Sequence, residues 1–147
     1  MKNRKDKVLL DTNVLVSAFI APGGNPHRIV EEAMEGTFQL FTCEPILTES
    51  RRVLLEYDHI RKRYEYTEKE VERFLASLKE GSTTAGKLPT ISVIEEDPDD
   101  DKILACAKSA EADYLISGDP HLKDLQEYQG VKILPPADFV EKLEERD

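Results

Sequence analysis

The stretch Val8-Leu9-Leu10-Asp11-Thr12-Asn13-Val14-Leu15-Val16-Ser17-Ala18-Phe19-Ile20 decides the fold class. Val8 to Leu10 is a short continuous apolar run, the pattern of a strand buried on both faces, and Val14 to Ile20 reads as a helix entered through the turn Asp11-Thr12-Asn13. The remainder of the chain repeats this alternation. Ala21 to Asn25 is a loop, with Asn25 as N-cap and Pro26 in the first turn of a helix that ends near Gly36. Phe38 to Thr42 reads as a strand, and Pro45 to Tyr57 as a helix whose Ile46, Leu47, Val53, Leu54 and Tyr57 gather on one side. Thr67 and Glu70 form a capping box for a helix striped by Val71, Phe74, Leu75 and Leu78, with Gly81 near its end. Further strands are expected at Ile91–Ile94, Tyr114–Ser117 and Val131–Leu134. Helices are expected around Ile103, Leu104, Ala107 and Ala110 and over Asp138–Glu145. Short strands separated by helices need crossover connections. The expectation is therefore an α/β fold, a three-layer α/β/α arrangement with a central parallel sheet of about five strands.

At 147 residues the chain is expected to form a single domain, residues 1–147. Hydrophobic residues make up 39% and Trp is absent, so the core is built mainly from aliphatic side chains. The longest apolar runs fall far below the roughly 18 to 20 residues of a membrane span, and Asp11 and Asn13 break up the only N-terminal segment resembling a signal peptide. Export is not expected, and the reading is a cytoplasmic protein. Cys43 and Cys106, too few for a disulfide scaffold and not spaced as a metal or redox pair, are expected as two reduced buried thiols.

The net charge of -10 argues against a nucleic-acid partner at first sight. The excess acid is unevenly placed: residues 1–75 carry 12 basic and 13 acidic groups, residues 76–147 carry 8 and 17. Arg51, Arg52, Arg61, Lys62 and Arg63 lie close together in the more neutral half. They suit phosphate contacts, or equally a solvated helix face.

Ligands of open parallel sheets bind outside the carboxyl ends of the strands. Asp11 directly follows the first strand, and Asp119 follows Tyr114–Ser117 after one glycine. A single such aspartate would serve as a helix cap; two at strand ends suggest a shared site. The run Glu95-Glu96-Asp97-Pro98-Asp99-Asp100-Asp101 precedes a helix, and its acids complement the helix dipole. Helical periodicity places Asp100 one turn before the face of Ile103, Leu104 and Ala107, whereas Asp101 rotates toward Ala105 and Lys108. Asp100 is thus the expected inward acid, Asp101 the competing choice, and Asp97 reaches the same space from the loop. Glu49 borders the apolar stripe of its helix, where it reads either as a surface residue or as a fourth acid. Carboxylates that converge repel one another unless a cation compensates them, and an all-oxygen donor set suits Mg²⁺ or Mn²⁺ better than zinc.

These residues resemble the PIN-domain family, most closely its toxin branch, the VapC-like ribonucleases. The matching stretches are Val8 to Ala18, Pro22 to Pro26, Glu49 within its helix, Asp97 to Ala105 and Ala112 to Asp119, in an order that covers nearly the whole chain. The resemblance implies a metal-dependent endoribonuclease that hydrolyses RNA phosphodiesters by water attack at Asp11, Glu49, Asp100 and Asp119, with Asp97 auxiliary. It also implies that Asn13 orients the first aspartate, that Ser117 hydrogen-bonds near a Mg²⁺ or Mn²⁺ ion, and that the protein forms a homodimer and meets a cognate antitoxin protein. Where family members often carry a further acid, this chain has His121. The alternative is a catalytically silent PIN-like module that binds RNA or a protein partner. Phosphatase and response-regulator readings fail on Asn13, where a second acid would be needed, and on Asp11, which stands alone at its strand end. A P-loop NTPase fails on the missing GxxxxGK[ST] sequence.

Overall fold

Val8, Leu9 and Leu10 are almost completely buried, as a strand covered on both faces must be, and they form the strand on which the sheet is organised. The computed structural model describes residues 5–86 and 98–145, with residues 98–100 described by their backbone only. The expected strand at Ile91–Ile94 and the loop acid Asp97 lie outside the described residues.

In chain order the elements are β1 (Lys7–Leu10), α1 (Thr12–Ile20), α2 (Asn25–Met34), β2 (Gln39–Thr42), α3 (Glu44–Glu56), α4 (Asp58–Arg63), α5 (Glu68–Glu80), β3 (Thr83–Thr84), α6 (Pro98–Ser109), β4 (Tyr114–Ile116), α7 (Pro120–Leu125), β5 (Glu127–Tyr128), β6 (Val131–Leu134) and α8 (Pro136–Glu145). The described strands form one sheet in the order β3-β2-β1-β4-β6-β5, parallel except for the β5–β6 pair. With helices on its faces it is a three-layer α/β/α structure, as the alternation of periods requires.

After β1 the chain first adds β2 on one side, then returns to place β4 on the other. The strand order therefore reverses between β1 and β4, and such a switch point opens a crevice at the carboxyl ends of the two strands. The register sets Leu10 opposite Ile116, and the Asp11 amide donates to the Ile116 carbonyl at 3.0 Å. The residues that leave β1 and β4 are consequently neighbours.

Local chemistry accounts for the flanking helices. Thr67 and Glu70 exchange the two hydrogen bonds of a capping box at the start of α5. At the start of α2 the cap is Gly24 rather than Asn25, which is already the first helical residue, and Gly36 follows the helix at φ +84°, in the left-handed region. Tyr66 sits edge-on to Phe19 at a centroid distance of 5.1 Å and donates its hydroxyl to the Leu54 carbonyl at 2.6 Å, which joins α1, α3 and the turn before α5.

The cysteines differ from expectation. Cys43, at the end of β2, and Cys106, within α6, are joined as a disulfide with Cα atoms 6.2 Å apart. Both are fully buried, and it is the packing of α6 beside the β2–α3 junction that brings together residues 63 positions apart. Among the described residues no helix is long and apolar enough to cross a membrane.

Candidate functional site

A cleft of about 810 Å³ opens at the switch point. Asp11, Thr12, Asn13, Val16, Ser17 and Ile20 line it from the β1 end and α1, Glu44, Pro45, Thr48, Glu49 and Val53 from α3, Ile60 from α4, and Lys102 and Ile103 from α6. Asp119 closes it from the β4 side. One part of the wall is thus acidic and another aliphatic.

A chain of hydrogen bonds joins Asp11, Ser117 and Asp119. Asp11 is 5% exposed and caps α1, its Oδ1 accepting from the Thr12 amide at 2.6 Å. The fully buried Ser117 hydroxyl donates to Asp11 Oδ2 at 2.6 Å and accepts from the Asp119 amide at 3.0 Å. Ser117 therefore fixes the rotamer of one aspartate and the backbone of the other. Asp119 in turn caps α7, its Oδ1 accepting from the His121 amide at 2.8 Å, with the His121 ring nitrogen Nδ1 at 3.9 Å. Both aspartates thus act as helix caps, the simplest role for an acid in this position, while lining the same cleft.

Glu49 reaches the cleft from α3, and its carboxylate is already engaged. Arg52 grips it with two hydrogen bonds, Nη2 to Oε1 at 2.6 Å and Nε to Oε2 at 3.1 Å, while Arg52 Nη2 also donates to the Tyr57 hydroxyl at 3.1 Å. Those hydrogen bonds, first the one to Glu49 and then the one to Tyr57, hold the Arg52 guanidinium pKa above its ordinary range.

The acids at the start of α6 are less simply placed. Residues Ile103 to Ala107 are all buried, including Ala105, so the helix is covered on more sides than an apolar stripe implies. Asp101, the competing choice for the inward acid, shares this covered surface and is only 9% exposed. Asp100 is described by its backbone alone, within α6.

The basic residues are divided by their partners. Arg51 is held by Glu72 at 3.0 Å and by Glu68 at 3.9 Å on α5. Arg61 donates to the Leu55 carbonyl at 3.2 Å and lies over the Tyr66 ring, and Arg63 lies over Tyr64. Arg61, Lys62 and Arg63 occupy the last turn of α4, where cations complement the helix dipole, next to the cleft-lining Ile60.

Two charged cleft residues were missed from the sequence. Glu44 lines the cleft two positions beyond β2 and pairs with Lys79 at 3.2 Å; inspecting the end of the second strand as closely as the first would have found it. Lys102 directly follows the acidic run and carried no other signal.

The donors that line the cleft are oxygens, which suits a hard divalent cation in kind. Among the described residues, however, no three acidic, histidine or cysteine side chains are close enough together to hold an ion. Glu49, drawn to Arg52, stands apart from the Asp11–Ser117–Asp119 group.

The sequence matches the PIN domain over residues 7–121, which spans β1 through the first turn of α7 and every cleft residue named above. The chain belongs to the PIN-domain family. It is also 30% identical to an uncharacterized protein of Methanocaldococcus jannaschii, over 98% of this chain and 96% of that one. PIN domains are generally nucleases that act on RNA and commonly use divalent metals, and in this chain the cleft at the β1–β4 switch point is lined by Asp11, Glu44, Glu49 and Asp119.

Proposed function

We propose that the protein is a Mg²⁺- or Mn²⁺-dependent endoribonuclease that hydrolyses RNA phosphodiester bonds in the β1–β4 cleft. The observation that carries the reading is the Ser117 hydroxyl bridging Asp11 and Asp119, which orients two strand-end acids toward one cleft in a PIN domain.

In this reading Asp11 and Asp119 hold the cation, Glu49 joins them from α3, and one acid at the start of α6, Asp100 or Asp101, completes the set, with Asp97 auxiliary. A bound divalent cation supplies Lewis acidity and offsets the negative charge that builds on the phosphoryl oxygens. The chain's own groups do the rest. Ser117 and the Thr12 amide fix the Asp11 carboxylate, so its orientation is set before substrate arrives. Asn13 sits on the cleft wall beside Asp11, placed to orient a water or the first aspartate. Arg61, Lys62 and Arg63 directly follow the cleft-lining Ile60 on α4, and in this reading their charge attracts the phosphate backbone despite the acidic net charge.

A toxin role, with a cognate antitoxin as partner, a homodimeric state and a cytoplasmic location, completes the proposal and rests on the resemblance to VapC-like ribonucleases. A second reading, a catalytically silent module that binds RNA or protein, is favoured by two observations: both aspartates already serve as helix caps, and the described acids do not form a ready ion site. Cleavage of labelled single-stranded RNA by an amide panel separates the readings. Asp11→Asn, Glu49→Gln and Asp119→Asn should each abolish metal-dependent cutting, and whichever of Asp100→Asn and Asp101→Asn does so identifies the third acid. No cutting by the wild type or by any variant, with RNA binding retained, would favour the silent module, and cutting that is equal across the panel and independent of metal would refute the proposed site.

A further inference from the structure

Arg52 holds the cleft-lining Glu49 from the same helix, α3. The pair spans one turn of α3, is bidentate, and is braced from behind by Tyr57, whose hydroxyl accepts from Arg52 and whose ring lies 5.2 Å beneath the guanidinium. Bidentate geometry fixes the orientation of a carboxylate as well as its charge, so both Glu49 oxygens are turned to Arg52. Yet the side chains are 46% and 42% exposed, and pairs this exposed are weak enough to open.

Resting on the reading of the cleft as a cation site, we propose that Arg52 is a positioning residue that latches Glu49 in the metal-free protein. Cation binding opens the latch: Glu49 turns to the ion, and Arg52 is released at the rim for an RNA phosphodiester. The chain thereby keeps an acidic site from repelling RNA before it is loaded, since the same guanidinium compensates Glu49 first and phosphate afterwards. Because only the open form takes the cation with all its donors, the latch lowers apparent affinity by the fraction of molecules that are open.

Mn²⁺ titration followed by calorimetry, without RNA, tests this. Arg52→Gln should bind Mn²⁺ about three- to fivefold more tightly than the wild type, because an exposed pair of this strength is removed. Tyr57→Phe, which leaves the charge unchanged, should shift affinity in the same direction by a smaller factor. In a Glu49→Gln background the Arg52→Gln effect should largely vanish, and Arg61→Gln, which removes an equal charge that does not touch Glu49, should not reproduce it. With Ca²⁺ present, Arg52→Gln should weaken retention of a single-stranded RNA oligonucleotide. Unchanged or weaker Mn²⁺ binding in Arg52→Gln, or equal tightening in Arg61→Gln or in the Glu49→Gln background, would overturn the latch alone. Absence of Mn²⁺ binding by the wild type would remove the cation site and the latch with it.

Discussion

Replacing Ser117 by alanine tests how the site is built, because one hydroxyl makes the two hydrogen bonds that link Asp11 to Asp119. The side chain is fully buried, and Ser to Ala leaves almost no cavity, so the cost is polar. The bond that Ser117 donates to Asp11 Oδ2 at 2.6 Å is charge-assisted, and such bonds contribute about 1.5 to 3 kcal/mol. Losing it leaves a carboxylate that is 5% exposed with less compensation for its burial. The Asp119 amide loses its acceptor at 3.0 Å, although the crevice admits water that can replace part of that bond. The sum is about 2 to 4 kcal/mol of destabilisation, or roughly 5 to 15 °C in Tm for a domain of this length. Urea unfolding at pH 7 reads the first quantity and calorimetry the second. The double variant with Asp11→Asn should lose less than the two single variants summed, because the contact is shared. A Ser117→Ala protein within about 0.5 kcal/mol of wild type, the usual range for an unimportant surface change, would refute the claim that this hydroxyl holds the site together.

Three further outcomes follow from the geometry. Thr67→Ala removes the cap of α5 and should cost about 1 kcal/mol, seen as a lower urea midpoint with unchanged slope; an unchanged midpoint would contradict the capping box. The Cys43–Cys106 bridge closes a loop of 63 residues, which in the chain-entropy model contributes about 4 kcal/mol, so protein unfolded and refolded under reductant should show a clearly lower urea midpoint than the oxidised protein; coincident curves would contradict the bridge. Glu72 is held below its ordinary pKa chiefly by its hydrogen bond to Arg51, so its contribution to stability is present above the unfolded-state pKa and is lost as pH falls through the folded one. Arg51→Gln should therefore narrow its stability gap to wild type as pH is lowered from 7 toward 3 in about that range, and a gap that widens would contradict the pairing.

What could be read in advance was set by local rules. Val8 to Leu10 stood out because three consecutive apolar residues followed by a polar turn have few other uses in a parallel sheet, and both strand-end aspartates followed from that placement. The capping box was equally local. Other features depend on tertiary context. Helix α4 buries no residue and so has no apolar stripe to betray it. The β5–β6 hairpin turns on Gln129 and Gly130, both at positive φ, and glutamine is an unusual choice at the first of these. The disulfide joins residues 63 apart with no sequence pattern between them. At the candidate site, Asp11, Glu49 and Asp119 were legible as cleft residues, but the engagement of Glu49 by Arg52 was not: an i,i+3 pair of opposite charge is common on solvated helices, and only the fold places one partner on the cleft wall.

The most direct test of the central claim is the initial rate at which the purified wild-type protein cuts a labelled single-stranded RNA in Mn²⁺, compared with EDTA and with Asp11→Asn purified identically. The account predicts cutting in Mn²⁺ that EDTA abolishes and that Asp11→Asn lacks. Cutting that persists in EDTA or in Asp11→Asn would contradict it.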